Sequence, residues 1–436
     1  IETADKFTSN LVNILVVVSS ITILLAIIFV EPLVKIFASG FSGDTLIIAK
    51  QFTRITLFGI YFSMLVYLMS AFLRIKENFY QSTIMYIPYS IVIILSIGLS
   101  SKYGLYLLPI GSLIALLSQF LYLLYYIPKT GYKYKLLIDL RDKNIKGLMY
   151  MAIPVILGVS VNQINVLVDR TLASQIAIGG IASLTYANRL NLFIQGVFVT
   201  SIATVVYPML TKYAVENKTK EFKKMISDTI ISLSILVIPA SIGFMSLSKE
   251  IVVLLFGRGA FDVNAVTLTS QALLFYSIGM IGYALREILS RVYYSLQDTK
   301  TPMINASIGM IINIILNILL SRILGISGLA LATSISALFT SSLLIFNLRT
   351  KIDNFDFSNI FIKITKILLA SIVMGIFLIV FKFVVGELFT NTVTLFISIL
   401  LGVIIYIVII RFMKIEEIED IFRLFQSKFK KSSRGE

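Results

Sequence analysis

The sequence predicts an all-α, polytopic membrane protein, and three observations predict it. Of 436 residues, 57% are hydrophobic and only 14% charged. The apolar residues gather in repeated runs of about 20, the length of one helical crossing. Short polar, glycine- or proline-containing breaks separate the runs. A mean hydropathy of +0.92 is far too apolar for a soluble domain. The runs are continuous rather than alternating and much longer than a ~10-residue barrel strand, which argues against a β-barrel.

Twelve spans are expected, at 10–31, 47–73, 82–100, 104–127, 147–169, 180–207, 226–247, 264–288, 302–321, 325–347, 360–384 and 391–412. The chain has no Cys, His or Trp, so disulfides, thiolate nucleophiles, imidazole bases and His-bound metals are excluded. No phosphate-binding loop of the G-x-x-x-x-G-K-[ST] type is present. Any transport by this chain therefore runs on gradients or substrate flux.

The formal charge of +15 suggests nucleic acid in a soluble chain, but here it follows membrane topology. The gaps after the second, fourth, sixth, eighth and tenth spans, with the C-terminal flank, hold 24 of the 38 Lys and Arg; the alternate gaps hold eight. The positive-inside rule then puts both chain ends in the cytoplasm. In the tail from Ile415, residues Ile418, Ile421, Phe422 and Phe425 share one helical face ahead of Lys428, Lys430, Lys431 and Arg434. That pattern reads as an amphipathic helix on an anionic leaflet or, more blandly, as a solvated tail.

An internal repeat appears at an offset of 219 to 220 residues. Glu31, Phe37 and Gly40 match Glu250, Phe256 and Gly259, Gln51 matches Gln271, and Ser70 to Asn78 match Ser290 to Asp298. The first four spans therefore correspond to the seventh to tenth, and counterparts of the fifth and sixth are expected ahead of the first. Parallel repeats of this kind form two bundles that rock about a midplane site. The boundaries that follow are 1–128 for the remainder of one lobe, 129–146 for a basic cytoplasmic linker and 147–350 for the second lobe. Residues 351–413 supply two additional spans and 414–436 a basic tail.

Polar residues inside these spans are costly and should face the bundle or a wet cavity. The fifth span carries Pro154, Gly158, Asn162, Gln163, Asn165 and Asp169. The amides serve a substrate or glue helices together, and Asp169 has Arg170 beside it as a simple ion-pair partner. Asn188 and Arg189 follow about ten residues into the sixth span, roughly 15 Å deep at 1.5 Å per residue. A guanidinium suits a diphosphate bidentately, so Arg189 is read as an anion ligand, with structural pairing as the alternative. Arg286, Glu287 and Arg291 form a second charged group, for substrate or for a local salt bridge. Asn313 and Asn317 lie one turn apart, and Thr333 opens the tenth span. With Asp169 they offer oxygens of the kind that hold Na⁺, or they simply bond helix to helix.

The motifs PVILGVSVNQIN from Pro154, YANRL from Tyr186, QGVF from Gln195, LFGRGAFD from Leu255, YYSLQDTKTP from Tyr293 and GLALATSISA from Gly328 resemble the MurJ (MviN) lipid II flippases of the MOP exporter superfamily. The similarity runs in order through the first ten spans. It implies a MATE-like two-lobe bundle of fourteen helices, twelve of them present here, and places the chain in the bacterial cytoplasmic membrane. It implies lipid II as partner, with membrane lipids and the cell-wall synthesis machinery, and no enzymatic activity. Carried over to this chain, it implies substrate contacts at Arg189, Asn188, Gln163, Asn165 and Arg286. A cation set follows at Asp169, Asn313, Asn317, Leu329 and Thr333, with Na⁺ as coupling ion and no other cofactor. Phe256, Gly257, Arg258, Gly259 and Phe261 form a gate loop. The chain departs from the family at Asn188, where many relatives have Asp. Other readings are an exporter of polysaccharide precursors or drugs from the same superfamily, an envelope-assembly scaffold and a membrane-embedded transferase. The first is favoured by a small cavity or one lacking arginines. Asp169 and Arg189 argue against the second, and the lack of His, Cys and paired intramembrane carboxylates argues against the third.

Overall fold

A computed structural model describes residues 2–352, 355, 357–386 and 390–415; the side chains of residues 2–4, 154, 155, 157–159, 161, 162 and 391 are outside that description. The side chains of Pro154, Gly158 and Asn162, and the amphipathic tail, are thus outside the described residues.

The described chain is helical, and its first compact unit covers 1–167. It holds α1 (Glu2–Ile28), α2 (Val30–Phe37), α3 (Gly43–Leu57), α4 (Gly59–Ile75), α5 (Phe79–Ile84), α6 (Tyr86–Tyr103) and α7 (Leu107–Tyr126). The second unit covers 168–436. It holds α9 (Gly180–Ile194), a π-helical turn (Gln195–Thr200), α10 (Ser201–Val215), α11 (Thr219–Ser246), α12 (Ser248–Phe256), α13 (Val263–Ile278), α14 (Met280–Ser295), α15 (Lys300–Leu324), α16 (Ile326–Lys351), α17 (Phe357–Val385) and α18 (Asn391–Phe412). Between them α8 (Lys143–Ile176) runs through the division.

Among the described residues ten helical stretches are long and apolar enough to cross a membrane, eleven if the bent pair α13–α14 is one span. The twelve expected spans map onto these eleven and onto α8. The eighth expected span, 264–288, is not one straight helix: α13 and α14 meet at Gly279 with a bend of 46°. The cause is tertiary. Ser334 of α16 donates its hydroxyl to the carbonyls of Phe275 (2.6 Å) and Tyr276 (3.2 Å), and Ser241 of α11 donates to that of Ser277. These hydroxyls satisfy carbonyls that the helix ladder gives up at the break. A side chain at Gly279 would put Cβ 2.5 Å from Cα of Ser334, so only glycine lets α16 come this close.

The repeat is visible in local geometry. α3 and α4 break at Phe58, and α13 and α14 break 221 positions later at Gly279. Gln51 accepts from the Tyr106 hydroxyl just before α7, and Gln271 from Ser327 at the start of α16 (3.4 Å). Glu77 and Gln297 both adopt φ 60°. In each of these turns the next amide bonds back five residues, Asn78 to Leu73 and Asp298 to Tyr293, both at 2.9 Å, a helix-ending arrangement.

The matched acids Glu31 and Glu250 both pair with lysine. Glu31 takes Lys50 and Lys35, each at 2.9 Å, and Glu250 takes Lys382 of α17 at 3.0 Å. The hydrogen bonds from Lys50 and then Lys35 lower the Glu31 carboxyl to about 2 from 4.5. A depressed carboxylate contributes stability above its unfolded value and loses it on acidification, so the α2–α3 link is expected to persist at pH 4.5 and fail as the pH falls through about 2. A chemical-shift titration of Glu31 with its midpoint near 4.5 would contradict that.

Candidate functional site

The best-defined polar constellation is in the second unit, where α15 and α16 pack against the C-terminal part of α8. Gly325 (φ 59°) turns the chain between α15 and α16, and Gly328 lets α16 start against the backbone of Leu320 and Ser321. This close approach puts the two asparagines of α15 beside Thr333. Asn313 and Asn317 are buried. Asn317 donates to Oδ1 of Asp169 (2.6 Å) and to Oδ1 of Asn313 (2.8 Å). Asn313 in turn donates to Thr333 (3.3 Å), whose hydroxyl donates to the Leu329 carbonyl (2.9 Å).

All five residues expected in the cation set are thus joined in one hydrogen-bonded chain. Asp169 bonds to Asn317, while Arg170 is exposed and makes no ion pair with it among the described residues. The buried Oδ1 of Asn317 has no partner, and a buried acceptor left unsatisfied is costly enough to call for a ligand. The donor set is a carboxylate, amide oxygens, a hydroxyl and a carbonyl, which suits a hard cation. With one carboxylate, and no cluster of three acidic, His or Cys groups among the described residues, it matches a monovalent ion better than a divalent one.

Arg189 lies in α9, whose buried face is Ser183, Leu184, Ala187, Asn191 and Ile194. Asn188 and Arg189 are on the opposite, exposed face. Neither side chain has a hydrogen bond or ion pair within the described residues. The π-helical turn that follows is of a kind found often at functional sites. Arg286 is half-buried, its guanidinium carbon 4.9 Å from the centre of the Tyr283 ring. Glu287 pairs with Arg291 at 2.9 Å, one turn on, so among the described residues the local salt bridge leaves Arg286 without a carboxylate. In the first unit's part of α8, Gln163 is exposed and Asn165 half-buried, its Oδ1 unpartnered.

The gate-loop residues form a closed turn. Gly257 has no room for a side chain, since Cβ would sit 2.7 Å from the Val253 carbonyl, and Gly259 adopts φ 63°. Arg258 is exposed, and Asp262 caps α13 through the Ala265 amide (2.8 Å). Phe256 and Phe261 both rest on Tyr186, with ring centres 4.8 and 5.6 Å away. Tyr186 is one turn before Arg189, so the loop clasps the helix that carries the arginine. Each ring contact contributes about 0.5–1.5 kcal/mol. Phe256→Ala, which removes one of the two contacts to Tyr186, is therefore expected to shift the loop toward an open state by ~0.5–1.5 kcal/mol, or about 2- to 13-fold. A spin-label distance between Ala260→Cys and Thr185→Cys, both exposed positions, reads that shift, and an unchanged distance distribution counts against the clasp. Sequence reasoning missed the roles of Tyr186 and Tyr283; the signal for both was an aromatic three residues before an intramembrane arginine.

Comparison with known proteins is consistent with these features. The family model described as "Lipid II flippase MurJ" matches residues 1–400. A probable lipid II flippase MurJ of Vibrio cholerae is 38% identical over 237 residues, 54% of this chain and 45% of that protein. The chain thus spans about half the length of that relative. The lipid II flippase MurJ of Thermosipho africanus is 30% identical over 93% of this chain and 81% of its own length. A solved lipid II flippase MurJ in an inward closed conformation superposes with a TM-score of 0.80 at 30% identity, covering 94% of this chain and 84% of that one. An inward-facing MATE transporter of the MOP superfamily superposes at 0.65 with 15% identity over 79% of this chain and 81% of that one, a likeness of fold alone. With the match to the family model covering nearly the whole chain, this multi-pass membrane protein belongs to the MurJ lipid II flippase family.

Proposed function

We propose that the protein carries lipid II from the inner to the outer leaflet of the bacterial cytoplasmic membrane by alternating access, with both ends of the chain in the cytoplasm. The observation that supports this most is Arg189, an intramembrane guanidinium with no partner among the described residues. A charge kept unpaired in a span marks a substrate path, and its planar fork fits the diphosphate of a lipid-linked sugar. Arg286, steadied by Tyr283, supplies a second cation, and Asn188 supplies an amide hydrogen bond to the sugar.

The head group enters from the cytoplasmic side, is neutralised by Arg189, and leaves outside when the Phe256–Phe261 loop releases Tyr186. Closure and opening of packed helices, rather than covalent chemistry, set the rate. Asp169, Asn313, Asn317, Leu329 and Thr333 would hold a sodium ion. An ion held there would offset the Asp169 carboxylate and fill the open Oδ1 of Asn317, where α15 and α16 meet the end of α8.

The test is binding of lipid II to the full-length protein in nanodiscs, against a lipid with the same tail and no diphosphate-sugar. Preference for lipid II supports the reading. Equal binding of both lipids overturns it, and binding of small cationic drugs instead moves the assignment to a multidrug exporter.

A further inference from the structure

The segment between α7 and α8 contains no helix from Gly131 to Asp142 apart from turns, yet it is not a loose loop. Three side chains from the first turns of α1 hold it. Asn10 exchanges two hydrogen bonds with the backbone of Asp139, donating at 2.8 Å and accepting at 2.7 Å. Asn13 donates to the carbonyls of Lys135 (3.2 Å) and Leu137 (2.9 Å) and accepts from the Tyr134 hydroxyl (2.5 Å). Ser9 bonds to the Tyr132 hydroxyl (2.8 Å) and accepts from the Lys135 amide (3.1 Å). Backbone groups two residues apart turn toward α1, as in an extended chain whose side chains alternate.

That alternation sorts the side chains. Leu136, Ile138 and Leu140 are 84, 57 and 60% exposed, an apolar row on a segment fixed in place, beside Tyr134, which is tethered to Asn13 through its hydroxyl. Beside it Lys133, Arg141, Lys143 and Lys146 are exposed, and none of their side chains is bonded to another described residue. Neither acid of the segment forms an ion pair with them among the described residues. Asp139 accepts from the Arg141 amide (2.8 Å), and Asp142 accepts from the Asn144 amide (2.7 Å) at the start of α8.

Depth follows from α1. The apolar stretch after Asn13 runs from Ile14 to Val30, 17 residues, the short end of what crosses a hydrocarbon core of about 30 Å. Asn13 therefore sits at the hydrocarbon edge, and the strap it holds lies at headgroup depth. Exposed leucine and isoleucine beside lysine and arginine at that depth complement an anionic lipid surface on both counts.

We propose that residues 132–141 are an interfacial anchor that binds anionic phospholipid of the inner leaflet, with Leu136, Ile138 and Leu140 toward the acyl chains and Lys133, Arg141, Lys143 and Lys146 on the phosphates. The choice of leaflet rests on the orientation given above. The strap links the spans on either side of it, so anchoring ties the end of α7 and the start of α8 to the membrane surface while other helices move.

The chain has no cysteine, so Leu136→Cys gives one site for an environment-sensitive fluorophore in the full-length protein, with Lys220→Cys as an exposed control. In nanodiscs containing phosphatidylglycerol the label at 136 is expected to be blue-shifted and shielded from an aqueous quencher, and in purely phosphatidylcholine discs to approach the control. Each basic residue neutralised, beginning with Lys133→Gln and Arg141→Gln, is expected to lower the shielded-to-quenched ratio about fivefold, the effect of ~1 kcal/mol per basic side chain near an anionic surface. Quenching equal to the control in anionic discs overturns the proposal. Shielding equally strong in purely phosphatidylcholine discs also overturns it, because anionic lipid then contributes nothing. Labelling of Leu136→Cys from outside intact cells contradicts the orientation alone and leaves the lipid contact to be read from the nanodiscs.

Discussion

Arg189→Ala is expected to weaken binding of lipid II about 150-fold while leaving the protein folded. The guanidinium contributes charge-assisted hydrogen bonds to the diphosphate, and losing ~3 kcal/mol of such bonding gives that factor. The fold is spared because Arg189 points away from the face of α9 formed by Leu184, Ala187, Asn191 and Ile194 and is bonded to no described residue. Arg189→Lys keeps the charge and loses the fork, so it is expected to recover only part of the affinity. A binding isotherm in nanodiscs for the three proteins, with thermal unfolding in parallel, separates the cases. Unchanged affinity in Arg189→Ala removes the arginine from the head-group site.

Asp169→Asn is expected to abolish a specific effect of sodium. A ligand that binds only the folded state at about a hundred times its Kd stabilises by ~2.7 kcal/mol. The wild-type protein should therefore unfold at higher temperature in NaCl than in KCl at equal ionic strength. In Asp169→Asn the hydrogen bond to Asn317 can still form but the only carboxylate of the set is gone, so the difference between the two salts should vanish. Asn317→Ala, which removes the unpartnered Oδ1, should reduce it as well. A sodium effect that survives in Asp169→Asn assigns the ion to another place.

Much of this was legible in the sequence, for physical reasons. Asn313 and Asn317 fall one helical turn apart, so any helix through 302–321 puts both on one face, and a glycine-opened helix carrying Thr333 was a natural partner. The repeat could be read because its matched residues sit at equivalent helix ends, where Glu77 and Gln297 share a backbone conformation. The bend at Gly279 was not legible. It depends on Ser334 and Ser241, hydroxyls from two other helices that no local pattern connects to it. The state of Arg286 was equally hidden, since the sequence offers Glu287 as its neighbour whereas helical geometry gives Glu287 to Arg291, four residues on. The strap on α1 depends on pairs some 120 to 130 residues apart, such as Asn10 with Asp139, and its composition alone marks only a basic linker.

The most direct measurement of the central claim is exposure of lipid II on the outer face of cells depleted of their own flippase and carrying this protein from its full reading frame, as wild type or as Arg189→Ala. The account predicts that wild type restores exposure and Arg189→Ala at equal abundance does not. Wild type inserted at normal abundance with no lipid II appearing outside would contradict it.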